Sequence, residues 1–246
     1  MSDTTDRQVR LGFLYPGYSA EDDYPTMAAR LDPSPHVQVV HTSVGEDAHR
    51  LDALLDLGGP GRLADGAAQL DDVDVVIWAC TSGSFVFGLE GARAQVEPVA
   101  EQMGVPASST SFAFVEAIRS LGVDRVAVAA TYPADVTAAF VSFLGEAGIG
   151  VVASDAQDII TATEVGTFDS DRVLDFVTAG DHPDAQAVLV PDTALHSAAV
   201  VAQLEAALAK PVLTANIVTM WHALALSGGL ASLRGADRLG SLFDRD

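Results

Sequence analysis

Short apolar, β-branched runs alternate along the chain with longer stretches whose apolar positions recur at helical spacing. Runs at Val9–Leu14, Val37–His41, Val73–Ala79, Val126–Ala130, Gly150–Ala153 and Ala187–Val190 predict strands, with weaker ones at Pro106–Ser108 and Val212–Thr214. Between them, Asp47–Leu57, Gly91–Met103, Ser111–Leu121, Ala134–Ala147, Asp169–Thr178, Ala198–Leu208 and Ile217–Leu226 predict helices. Asp169 and Ser111 read as N-caps, and Gly104, Gly122, Gly148, Gly180 and Gly228 as helix stops. Such alternation predicts an α/β fold with mainly parallel sheets flanked by helices on both faces.

The pattern also repeats. Val9-Arg-Leu-Gly-Phe-Leu-Tyr15-Pro16 lies on Val126-Ala-Val-Ala-Ala-Thr-Tyr132-Pro133, 117 residues later. Val75-Val-Ile-Trp-Ala-Cys80-Thr81 lies on Ala187-Val-Leu-Val-Pro-Asp192-Thr193 at an offset of 112, and Val105-Pro106 on Lys210-Pro211 at 105. Three matches in one order predict two pseudo-symmetric, doubly wound halves, residues 1–112 and 113–246, with the segment from about 216 to 246 read as packing back on the N-terminal half. Open α/β sheets place ligands beyond the carboxyl ends of their strands. Tyr15 to Ser19, Cys80 to Ser84, Tyr132 to Asp135 and Asp192 to His196 are thereby brought to one cleft between the halves, with Cys80 and Asp192 facing each other.

Composition narrows the function. Thirteen basic residues against 34 acidic ones, a net charge of −21, argue against a nucleic-acid partner, because phosphate recognition needs clustered Lys and Arg. No stretch approaches the roughly 18 uninterrupted apolar residues of a membrane span, and Met1–Arg7 lacks the basic and apolar regions of a signal peptide. The expectation is a cytoplasmic protein with no membrane partner. Lys210 is the only lysine and 25 of the 34 acids are Asp, a balance that suits a salt-rich host in which a strongly negative surface stays solvated. Raising KCl is then expected to raise the melting temperature, and a flat response up to molar salt contradicts this.

Cys80 is the only cysteine, which excludes an intrachain disulfide and a multi-cysteine metal site, and leaves either a buried spectator or a single reactive thiol. It stands at the mouth of an apolar strand in Cys80-Thr81-Ser82-Gly83-Ser84, a turn whose N–H groups and hydroxyls can hold a carboxylate and stabilise a thiolate. Asp192-Thr193-Ala194 repeats the arrangement with a carboxyl in place of the thiol, and is alternatively the N-cap of the helix after it. His196 reads as a surface or satisfied histidine. The histidines at 36, 41, 49, 182 and 222 show no metal-ligand spacing. Trp78 and Trp221 read as core, and Gly58-Gly59-Pro60-Gly61 as a turn, since no strand precedes it and no lysine follows.

The order Leu14-Tyr15-Pro16, then Trp78-Ala-Cys80-Thr81-Ser82-Gly83-Ser84, then Leu121-Gly122-Val123-Asp124-Arg125-Val126 leading to Thr131-Tyr132, resembles the aspartate/glutamate racemase superfamily, in its maleate isomerase and arylmalonate decarboxylase branch. Arg238-Leu-Gly240-Ser-Leu-Phe243-Asp244 is similar to the C-terminal segment of arylmalonate decarboxylases. The resemblance implies two α/β halves, a cleft site, no cofactor, and one or two catalytic cysteines at equivalent strand ends. It makes Cys80 the first cysteine and Asp192 the occupant of the second cysteine's place. Thr81, Ser82 and Tyr132 become carboxylate-holding groups and Thr193 a backbone donor; Tyr15, Pro16, Ser19 and Ala194, from the strand-end loops, complete the expected substrate-binding positions, and the first loop departs from the family, with Ser19 near the place where maleate isomerases carry an asparagine.

Racemases and maleate isomerases use both cysteines, whereas arylmalonate decarboxylases keep only the second; this chain keeps only the first. A Cys80 thiolate can add to the double bond of a cis-enedioate such as maleate, allow rotation and leave. The first expectation is therefore a maleate cis-trans isomerase-like enzyme acting on a small carboxylic acid. The alternatives are proton transfer at carbon, as in a decarboxylase or racemase, and a non-catalytic carboxylate binder. A homo-oligomer is also open.

Overall fold

The computed structural model describes residues 8–234 and 239–244. The leader reading of residues 1–7, and Arg238 in the C-terminal match, lie outside the described residues. The N-terminal half runs β1 (Arg10–Pro16), α1 (Asp23–Ala28), β2 (His36–Thr42), α2 (Leu51–Leu57), α3 (Pro60–Ala67), β3 (Val75–Trp78), α4 (Ser82–Phe85), α5 (Gly88–Met103), β4 (Ala107–Ser109) and α6 (Thr110–Leu121). The C-terminal half runs β5 (Arg125–Ala130), α7 (Ala134–Glu146), β6 (Gly150–Ala156), α8 (Ala162–Val165), α9 (Ser170–Ala179), β7 (Ala187–Val190), α10 (Val201–Leu208), β8 (Val212–Thr214) and α11 (Ala215–Leu226).

All eight predicted strands form, in two parallel sheets ordered β2-β1-β3-β4 and β6-β5-β7-β8. The two orders are the same when β5 is laid on β1, β7 on β3 and β8 on β4, the superposition that the sequence repeat requires. Leu11 pairs with both Val37 and Val75, as Val126 pairs with both Val151 and Ala187.

Side chains alternate across each strand, so every central strand feeds two cores. Leu11, Phe13, Ile77, Val126, Val128 and Leu189 enter one core shared by both sheets, together with Phe114 and Ile118 of α6 and Ile217 and Met220 of α11. Leu14, Val76, Trp78 and Cys80 face the opposite way, among Leu63 and Ala67 of α3 and Val96 and Val99 of α5. Ala127, Ala129, Val188 and Val190 do the same beneath α9 and α10. Each fully buried Val, Leu or Ile contributes roughly 1.5–3 kcal/mol, which is why strands covered on both faces read as unbroken apolar runs. The helix α11 packs against α6 and β3, so it crosses to the other half's sheet.

Several local readings change. The helix predicted from Asp47 begins only at Leu51, because Asp47 and His49 bond to the opposite half instead of propagating a helix. The N-cap of α6 is Ser109, whose hydroxyl accepts from Phe112 N at 3.4 Å, while Ser111 donates to Thr81 O at 2.9 Å. Asp169 does cap α9, accepting from Arg172 N at 2.9 Å. Gly59 and Pro60 open α3 instead of closing a turn, with proline at the first helical position where its missing N–H costs nothing. Gly58 is glycine because a Cβ there would run into the Gly83 carbonyl, behind Cys80. Lys210 stands on no basic patch: its Nζ donates to Asp181 Oδ1 at 2.8 Å and to the carbonyls of His182 and Ala185 at 3.0 Å.

Candidate active site

Strand ends from both halves open onto one cleft of about 190 Å³. This is below the roughly 300–1,000 Å³ typical of drug-sized ligand sites, and suits a ligand of few heavy atoms. Of the residues singled out in the sequence, Pro16, Ser19, Cys80, Ser82, Asp192, Thr193 and Ala194 line it. Tyr15, Thr81 and Tyr132 are buried immediately behind the lining.

Cys80 ends the alternation of β3 and is 3% exposed. Gly83 N donates to its Sγ at 3.3 Å, and Ser82 Oγ lies 3.9 Å away. The turn is held from behind by Gln95, whose Nε2 donates to Gly58 O at 2.8 Å and Gly83 O at 2.7 Å. The sequence reading expects these donors to stabilise a thiolate. Burial overrides them and pushes the thiol up to about 12, the Gly83 and Ser82 contacts lowering it and the Asp192 charge raising it. Cys80 therefore rests as a thiol at neutral pH. Iodoacetamide labelling of the free protein is expected to climb about tenfold per pH unit through pH 10, and levelling off near the ordinary value of 9.0 would show that burial does not control it.

Asp192 is 4% exposed. Its Oδ2 accepts from Thr131 Oγ1 at 2.5 Å and its Oδ1 from Ala194 N at 2.9 Å. It caps no helix, since α10 starts only at Val201; the bond to Ala194 N closes a local turn. The two repeat tyrosines fix the same segment. Tyr132 OH donates to Pro191 O at 2.9 Å, and Tyr15 OH donates to Thr193 O at 2.9 Å while accepting from Ala20 N at 3.0 Å. Tyr132, expected to hold a carboxylate, thus spends its proton on the backbone, although the Thr81 and Ser82 side chains lie beside its phenol. Ser19 Oγ donates to Ala194 O at 3.0 Å. His196 lies outside the cleft lining and pairs with Asp22 at 2.8 Å. Among the described residues, no three of His, Cys, Asp and Glu are grouped to hold a metal ion.

The family profile described as arylmalonate decarboxylase matches residues 61–240, nearly three quarters of the chain. The chain belongs to the arylmalonate decarboxylase family. It is 28% identical to an arylmalonate decarboxylase of Bordetella bronchiseptica over 178 residues, covering 72% of this chain and 73% of that one. It is also 28% identical to a maleate isomerase of Geobacillus stearothermophilus over 166 residues, 64% of this chain and 66% of the other. Among solved structures, a Nocardia farcinica maleate cis-trans isomerase with a cysteine replaced by serine and a covalently bound succinylcysteine intermediate superposes with a TM-score of 0.85, at 22% identity, covering 98% of this chain and 100% of that one. At that identity the likeness is one of fold.

Within this family member, a strap over residues 43–50 escapes the sequence reading. Asp47 accepts from Ala162 N at 2.9 Å, Thr163 N at 3.2 Å and Thr163 Oγ1 at 2.6 Å, tying the N-terminal half to α8 across the cleft. His49 N donates to Ile160 O at 2.5 Å, and its Nδ1 meets Ile159 O at 2.9 Å, so Nδ1 carries the proton. The ring packs edge-on to Tyr132 at 4.8 Å and lines the cleft. No local spacing marks His49, because its partners are more than a hundred residues away; only the interruption of helical pattern by Gly45-Glu46-Asp47 hints at a non-helical strap. Those hydrogen bonds hold Asp47 below its ordinary 3.8, against the opposing effect of desolvation. The strap is thus closed at neutral pH and loses this tie only as the pH falls through that lowered value. Asp47→Ala is expected to speed Cys80 alkylation several-fold at pH 8 without changing the circular dichroism spectrum, and an unchanged rate would show that the strap does not control access.

Proposed function

We propose that this chain is a cofactor-independent, cysteine-dependent cis-trans isomerase of a small unsaturated carboxylic acid. The observation that carries the reading is the placement of the Cys80 thiol and the Asp192 carboxylate in one small cleft, at equivalent strand ends of the two halves. Asp192, poised to take a proton, removes it from Cys80 as the sulfur bonds to one alkene carbon. The π bond breaks, and the proton passes from Asp192 to the other alkene carbon, leaving a saturated thioether. After rotation about the new single bond, Asp192 takes that proton back, the C–S bond breaks and the sulfur recovers its proton. The thiol and carboxyl groups thereby share one mobile proton throughout. The succinylcysteine named in the Nocardia structure is the kind of adduct that such an addition leaves on a four-carbon acid.

A second reading, proton transfer at carbon with loss of carbon dioxide, is favoured by the high thiol value, since a protonated Cys80 is already a proton donor. Quenching the enzyme during turnover of cis-2-enoic acids and weighing the intact protein separates the two. The isomerase gives an adduct of substrate mass on the Cys80 peptide and a trans product by proton NMR. Carbon dioxide release from a 2-substituted malonic acid offered in parallel, with deuterium from heavy water at the α-carbon of the monoacid product and no adduct, would replace it with the second reading.

A further inference from the structure

We propose that the cleft selects an acid with one carboxylate, bound at the Cys80–Ser82 end, whose far end presents an uncharged hydrogen-bond donor to Asp192. A cis-enedioic acid monoamide is the simplest such molecule, because the amide carbonyl keeps the double bond electron-poor. This rests on the reading of the cleft as a cysteine-dependent site for small acids, and concerns which acid.

The two ends of the cleft differ in what they leave unspent. At the C-terminal end, Thr131 Oγ1 and Ala194 N, donors that could have received a substrate carboxylate, are both taken by the protein's own Asp192. The hydroxyls of Tyr15 and Tyr132 are committed to Thr193 O and Pro191 O. What Asp192 itself turns toward a ligand is an acceptor, beside Thr193 of the lining. Glu46 and Asp47 also line the cleft, and among the described residues no lysine or arginine does. A second carboxylate about 4 Å from Asp192, at an effective dielectric near 20, would be repelled enough to weaken binding about 10³-fold.

The N-terminal end has donors in hand. Thr81 Oγ1 is buried just behind the lining, between two residues that line the cleft, without a directed hydrogen bond and with the Tyr132 phenol beside it. Such a group is rare enough in native interiors to mark a place for something else to bind. Ser82 Oγ, which lines the cleft, stands beside it, 3.9 Å from Cys80 Sγ. One carboxylate fits here. Sulfur then adds to the carbon next to that carboxylate, which is the carbon activated by the distant amide carbonyl. The proton from Asp192 goes to the carbon beside the amide, so bonds and charges balance as in the general scheme.

The test is calorimetric titration of Cys80→Ala, which holds ligands without turning them over, with maleate and with its monoamide at pH 7.5 and fixed salt. The monoamide is expected to bind at least tenfold more tightly. In a Cys80→Ala, Asp192→Asn double variant, where an amide replaces the charge, that ratio is expected to fall to near one or reverse. Protection of Cys80 from alkylation by the two acids in the unaltered protein gives the same ratio should the double variant not fold. Equal or tighter binding of maleate, or binding of neither acid, overturns the proposal. A monoamide preference without turnover of either acid would instead overturn the catalytic reading alone.

Discussion

Cys80→Ala is expected to abolish turnover of whichever acid the protein converts, lowering kcat by about 10⁴ or more, the scale on which removal of a covalent catalyst's nucleophile is felt. Both readings of the reaction pass through this sulfur, as nucleophile or as proton donor, and no second cysteine stands in the cleft to replace it. Asp192 cannot substitute: its oxygens are fixed by Thr131 and Ala194 at the other strand end. The fold should survive. Alanine removes one buried sulfur contact and the bond from Gly83 N, a loss of about 1 kcal/mol, while Gln95 still holds the turn through Gly58 O and Gly83 O. Acid binding should persist, since Ser82 and Thr81 are untouched. The measurement is initial rate by NMR alongside a melting curve. Residual turnover within tenfold of the unaltered protein would place the chemistry elsewhere.

The strand pattern was legible because each central strand is buried on both faces, so the runs at Leu11–Leu14, Val75–Trp78 and Ala187–Val190 carry no polar interruption. That Cys80 and Asp192 line one cleft was legible for a related reason: a repeat places equivalent strand ends together whatever the loops do. Legibility failed where a residue's partner is remote in sequence. Asp47 scans as the first residue of an amphipathic helix, yet three donors at 162 and 163 draw it into a strap. Tyr132 scans as a ligand contact, yet its proton goes to Pro191 O. The Cys80 thiol shows the same limit in its energetics, since its local donors are visible in the sequence and the burial that outweighs them is not. Local chemistry names the groups; only the packed structure says which of them are already satisfied.

Asp23→Ala is expected to cost roughly 3–5 kcal/mol, because three buried donors lose their acceptor at about 1–3 kcal/mol each, less what relaxation recovers. Asp23, on α1, accepts through Oδ2 from Ser197 N at 3.0 Å, Ala198 N at 3.2 Å and Asn216 Nδ2 at 3.0 Å. It thereby fastens the N-terminal half to the loop just beyond Asp192 and to the start of α11. The Asn216 amide is in turn held by Tyr24 OH at 3.1 Å and Leu195 O at 3.3 Å, so the loss spreads through a buried network. A drop in melting temperature of roughly 10 °C follows for a chain of this size. Asp23→Asn should cost much less at pH 7, since it retains one acceptor and removes a buried charge. Burial, the dominant influence, raises the Asp23 carboxyl above its ordinary 3.8 despite the opposing hydrogen bonds. A raised carboxyl favours the folded state when protonated, so its contribution is largest below 3.8 and is lost as the pH rises through the folded value. The unaltered protein should accordingly gain on Asp23→Asn as the pH falls from 7 toward 4, measured as the difference between their melting temperatures at each pH. A difference that stays constant, or moves the other way, would mean that the carboxylate is stabilised in its charged form by the three donors, and that burial does not govern it.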